Sequence, residues 1–161
     1  MKAGKISYTG VGVTAGGVIG LLGVVVGWFS YSYPVGGGSA SVSLSGTADW
    51  TGTAALIGAI GAFAFGGAFL LLNDAKIRRI ASILMAASAA FLLVMSLFGF
   101  TRVSDAVGTP AVVFTTGIGK GLTISFAGGV IALVAALLAT REGETEAEAP
   151  APQPHAEAVE A

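Results

Sequence analysis

The residue types that perform acid–base, metal or nucleophilic chemistry are few in this chain and far apart. His155 is the only histidine and stands between Pro154 and Ala156, with no companion at the geometry that a metal centre or a proton relay needs. The chain has no cysteine, which removes disulfides, thiolate metal ligands and cysteine nucleophiles. Asp74 and Arg78 have i,i+4 spacing and can support a helix end by about a few tenths of a kcal/mol. Asp49 and Lys120 each precede an apolar stretch and can pair. Asp49 needs no partner there, because a carboxylate favours a helix N-terminus through the dipole, and Lys120 suffices as a headgroup anchor. The glycine doublets near the N-terminus cannot cradle a phosphate, since they lie inside an apolar run and not after a strand. Ser82, Ser88, Ser96, Thr123 and Ser125 can bond back to helical carbonyls. No catalytic, cofactor-binding or metal-binding residue is expected, and no cofactor.

What recurs is smallness. Gly12, Gly16 and Gly20, with Gly23 and Gly27, then Ala54, Gly58, Ala62 and Gly66, then Gly121, Ser125 and Gly129 stand mostly four apart, on one side of a helix. Absent side chains let backbones approach there and pack without a hydrophobic driving force. These residues are expected to carry helix packing, first within the chain's own bundle and secondarily toward a partner.

The elements that present them follow from composition. The chain of 161 residues is 54% hydrophobic and 11% charged, with 25 glycines and a mean hydropathy of +0.84, whereas soluble domains carry about 25% charge. Its net charge of −1 offers no basic face for nucleic acid. Four apolar stretches, about residues 11–33, 51–72, 79–100 and 121–140, are each near the ~20 residues that cross a hydrocarbon core. Apart from Arg79 at an edge, none contains an ionisable Asp, Glu, Lys, Arg or His. Continuous runs of this kind exclude a membrane barrel, whose segments alternate. The expected fold is an all-α, four-transmembrane-helix bundle over residues 1–140, with the lipid bilayer as its surroundings.

Orientation follows from basic residues, which favour cytoplasmic flanks. Lys2, Lys5, Lys76, Arg78, Arg79 and Arg141 fall on one side, Arg102 and Lys120 on the other. Both termini are therefore expected in the cytoplasm of a multi-pass protein of the cell membrane. Trp28, Tyr31, Tyr33 and Trp50 are expected as anchors at the outer interface, where amphipathic rings settle. A cleaved signal peptide is the rival reading of the N-terminus, and it would leave three spans.

The outer connections carry strand signals at Ser41 to Ser45 and Ala111 to Thr116, expected to pair into a small extracellular sheet. A gapless shift of 71 residues aligns Phe29 with Phe100, Gly46 with Gly117 and Gly58 with Gly129. The segment Ala15 to Ile19 is also identical to Ala127 to Ile131. Residues 141–161, with six Glu and three Pro, read as a disordered acidic tail.

This layout of four spans, cytoplasmic ends, a short inner turn and two outer loops with strand segments around Trp50 resembles the claudin-like and wider tetraspan architecture, over about residues 8–140. It also resembles small four-span proteins of prokaryotic membranes. Claudins carry a tryptophan-rich motif with two cysteines in the first outer loop, which this chain lacks, so a junctional role is not implied. The functional expectation is a non-enzymatic accessory subunit or scaffold of a membrane assembly, contacting other membrane proteins or itself. The alternative is a small oligomeric transporter or channel around a glycine-lined pathway.

Overall fold

A computed structural model describes residues 8–72, 74–108 and 115–147. Four helices are long and apolar enough to cross a membrane: α1 (Tyr8–Val25), α2 (Trp50–Leu71), α3 (Ala75–Gly108) and α4 (Lys120–Ala147). They form a ring in which α1 packs on α2 and α4, and α3 packs on the same two, while the diagonal pairs barely touch. Asp49 opens α2 as its N-cap, its carboxylate accepting from Thr51 N at 3.2 Å. Asp74 opens α3, accepting from Lys76 N at 2.8 Å and Ile77 N at 3.1 Å. Both satisfy donors that a helix start leaves orphaned.

The first span is shorter than its apolar run. α1 ends at Val25, and Gly27–Val35 is strand β1, so the expected span to residue 33 is corrected. The physical reason lies in the period. From Trp28 onward, aromatics and serines alternate as Phe29, Ser30, Tyr31, Ser32 and Tyr33, a two-residue repeat that suits a pleated surface and not a helix. The Trp28 indole Nε1 donates to the Gly23 carbonyl at 3.1 Å, occupying one of the acceptors freed where α1 stops.

β1 returns as β2 (Gly38–Ser45) in antiparallel register, Tyr31 facing Val42 and Val35 facing Gly38. The two-residue turn uses Gly36 at φ +49° and Gly37 at φ +90°, the positive pair that a type I′ hairpin requires. Strand β3 (Thr115–Ile118) pairs with the other side of β1, Phe29 facing Ile118 and Ser32 facing Thr115, giving the order β2-β1-β3. The strand signal at Ser41 to Ser45 falls within β2. That at Ala111 to Thr116 reaches β3 only at its last two residues, since 109–114 lie outside the described residues. α4 continues to Ala147, so the start of the acidic segment is helical, and residues 148–161 lie outside the described residues.

The core has two parts. Near the short α2–α3 turn it is Val13, Ala62, Phe69, Ala81, Met85, Ala89, Ala132, Ala136 and Ala139. Toward the sheet it is Val24, Trp28, Phe29, Ala55, Ala59, Leu92 and Leu122.

Candidate functional site

The described residues hold no group of three or more His, Cys, Asp or Glu able to bind a metal. The charged residues Asp49, Asp74, Lys76, Arg78, Arg79, Arg102, Lys120 and Arg141 all lie beyond or within about a turn of the span ends. Buried polar side chains are hydroxyls: Thr9, Thr51, Ser82, Ser96 and Ser125. Ser82 donates to Arg79 O at 2.8 Å and Ser96 to Leu92 O at 2.9 Å, each within its own helix. Ser125 differs, its hydroxyl crossing from α4 to Gly20 O of α1 at 3.3 Å. Arg78 lies over the Phe69 ring at 4.7 Å, and Arg102 over the Trp50 ring at 5.8 Å, as cation–π contacts do. A groove of about 300 Å³ on the outer side of α4 is lined by Val134, Leu137, Leu138, Thr140 and Arg141.

The dominant feature is backbone proximity at glycine. A Cβ added to Gly16 would stand 2.6 Å from Ala132 N and 2.7 Å from Gly128 O, and one added to Gly128 would stand 2.7 Å from Gly16 O. The contact is reciprocal, because the identical segments Ala15 to Ile19 and Ala127 to Ile131 lie against one another. A Cβ added to Gly12 would stand only 2.8 Å from Ala135 Cβ, and Gly23 lies on Ser125 and Gly121. Gly20 faces the Leu92 side chain, Gly58 the Leu92 backbone, Gly66 the Thr14 backbone and Gly129 the Leu93 backbone. Gly121 abuts Val26 O and Gly23 O. Ala62 is buried in the core and Ala54 is half-buried. Gly27 does not extend the α1 face. It begins β1, where a Cβ would meet Ser43 Cβ at 2.6 Å.

The doublets explain how one helix serves two neighbours. Gly16 faces α4, whereas a Cβ added to Gly17 would stand 2.6 Å from Phe63 N of α2; likewise Gly128 faces α1 and Gly129 faces α3. Adjacent residues point about 100° apart around a helix, the corner angle of a four-helix ring. Gly17 and Gly128 fall off the four-residue spacing that selects the other glycines, and the doublets themselves are the signal that marks them.

Among the expected interface aromatics, Trp50 is 56% exposed at the start of α2 and Tyr31 and Tyr33 are half-buried on β1. Trp28 is corrected from an anchor to a core residue, with 0% exposure. Its ring fits a shell of missing side chains: a Cβ on Gly46 would approach it to 2.7 Å and one on Gly99 to 2.9 Å. Gly119 passes so close to the Gly27 and Trp28 backbone that no side chain fits, and its N–H donates to Trp28 O at 2.7 Å. Trp28 thus ties α1, the 3-10 turn Gly46–Ala48, α3 and the start of α4 together.

No family model matches the chain, and no curated protein matches it.

Proposed function

We propose that the chain is a non-enzymatic multi-pass membrane protein serving as an accessory subunit or scaffold of a larger membrane assembly. In this reading both termini are cytoplasmic and the sheet lies on the opposite side, a tetraspan arrangement resembling that of claudins. The observation that carries it is the packed interior, where glycines bring neighbouring backbones together and the polar residues classed as buried among those described are threonines and serines. Ionisable residues inside a membrane domain are the usual mark of an ion path, proton relay or substrate site. With none inside the spans among the described residues, the surfaces left to act are the outer helix faces and the sheet. Lys76, Arg78, Arg79 and Arg141 at the turn end, against Arg102 and Lys120 at the sheet end, support the orientation.

Reconstituted alone, the chain is expected to leave liposomes impermeable to ions, and co-purification in mild detergent is expected to return a partner at fixed stoichiometry. Ion flux through the chain alone would overturn the reading in favour of the oligomeric transporter or channel. Reporter fusions at Ala161 and within Gly36 to Gly38 are expected to be active on the cytoplasmic and outer sides respectively; an externally active C-terminal fusion would overturn the orientation.

A further inference from the structure

The sheet has two edges, and they are built differently. β3, described over Thr115–Ile118, leads through Gly119 directly to Lys120. A lysine beside an edge is one of the devices by which proteins keep it from recruiting another strand. β2 has none of them. Its eight residues alternate serine with alanine, valine and leucine after Gly38, without charge or proline, and its register with β1 is regular from Phe29↔Leu44 to Val35↔Gly38. Among the described residues no strand lies on its outer side, and Val42 and Leu44 are 47% and 41% exposed. A neutral, regularly paired edge of this length is a template for another strand. Main-chain hydrogen bonds decide what covers it, and the alternating side chains decide which strand fits.

The side chains choose the occupant. Ala40, Val42 and Leu44 share one face, and Ser39, Ser41, Ser43 and Ser45 the other. An antiparallel copy related by a twofold axis perpendicular to the sheet keeps each face on its own side. With the axis at Val42, Val42 meets its own copy, Ser41 meets Ser43 and Ala40 meets Leu44, so like meets like. No residue from Gly27 to Ala48 is charged, so nothing steers an oppositely charged partner to this edge, and a charged strand would set an unpaired charge against Val42 and Leu44.

We propose that the outer edge of β2 pairs antiparallel with β2 of a second copy of this chain, joining two three-stranded sheets into one of six strands. The proposal rests on the reading of the chain as an assembly component and names one partner, itself.

The full chain in mild detergent, followed by sedimentation and native mass spectrometry, is expected to be dimeric. Val42→Lys and Val42→Glu each set like charges against one another across the axis, and each is expected to raise the dissociation constant at least about tenfold. An equimolar mixture of the two is expected to restore a heterodimer. Residue 42 is exposed on the sheet, so unchanged melting temperatures of both variants show that the bundle is intact. Because the chain has no cysteine, Val42→Cys gives an independent reading: it is expected to form a covalent dimer on oxidation in membranes, whereas Leu22→Cys, on the exposed face of α1, is not. A monomeric parent chain, dimers indifferent to both charges, or failure of Val42→Cys to cross-link would overturn the proposal. A monomer that still co-purifies with another protein overturns self-pairing and leaves the accessory-subunit reading standing.

Discussion

The two ends of the bundle solve one packing problem in opposite ways. At the turn end, six of the nine buried core residues are alanines, and the helices close by bringing short side chains and backbones together. At the sheet end large side chains, Trp28 foremost with Phe29, Leu92 and Leu122, fill the space, and glycines at 46 and 99 make room for the Trp28 ring. In the membrane setting proposed for them, helices have little reason to hide apolar surface, so close van der Waals contact must hold them. Contact density is reached either by removing side chains until backbones touch or by fitting one large side chain into a shell of absent ones. The first device spreads tolerance over many positions, and the second concentrates it on one.

The largest expected effect tests the backbone contacts that both ends share. Gly16→Leu and Gly58→Leu would drive a side chain into Ala132 N and Leu92 N, where even a Cβ has 2.6 and 2.8 Å. Over-packing costs about 1–3 kcal/mol where neighbours can shift; here the neighbours are backbone, so loss of the folded bundle is expected. Leu22→Ala, at a position 60% exposed, is expected to change the detergent melting temperature little. Equal losses at Leu22 and Gly16 would mean that the small faces are not what holds the helices.

The next effect separates the ends. Trp28→Ala is expected to cost about 3–5 kcal/mol, the range for emptying a buried aromatic site, with Trp28→Phe intermediate because it keeps an aromatic ring but drops the bond to Gly23 O. Ala136→Gly at the turn end removes one methyl and should cost about 1 kcal/mol, the usual helix penalty of glycine against alanine. Calorimetry in detergent reads both. If Trp28→Ala cost no more than Ala136→Gly, the sheet end would be held by its strands and not by the ring.

The sequence made the backbone contacts between helices far more legible than the Trp28 site. Four-residue spacing of Gly16, Gly58 and Gly129 follows directly from helical geometry, and every one of them sits against a neighbouring helix. Trp28 and Phe29 misled because hydrophobicity alone extends the first apolar run through them, whereas the two-residue alternation that defines β1 becomes plain only from Ser30 onward. A tryptophan after an apolar run reads as an interface anchor by composition. Only the convergence of Gly46, Gly99 and Gly119, distant in sequence, makes it a core residue, and that convergence is a tertiary fact. The 71-residue shift aligns Gly58 with Gly129, and both press on the α3 backbone, at Leu92 and Leu93; yet it also aligns Phe29 with Phe100, which stand in a strand and a helix. The correspondence therefore holds within the helical ring and breaks where the chain leaves it.

The smallest expected effect asks whether polar bonds contribute to either device. Thr14 donates to Gly10 O at 2.9 Å and Ser96 to Leu92 O, each inside its own helix, so neither ties two helices together. Ser125 does, reaching Gly20 O across the α1–α4 contact. At 3.3 Å the bond is long, and hydrogen bonds between membrane helices average only about 0.6 kcal/mol. Ser125→Ala keeps the small volume that Gly23 requires beside it, and a carbonyl has a second lone pair through which Gly20 O can keep a helical partner. The substitution is therefore expected to cost about 0.6 kcal/mol, well below Trp28→Ala, whereas Ser125→Val adds bulk against Gly23 and should cost several times more. The ordering separates size from polarity at one position. If Ser125→Ala proved as damaging as Ser125→Val, the hydroxyl and not the space would be what the α1–α4 contact demands, and a packing account of the sheet end would have to give way to a hydrogen-bonded one.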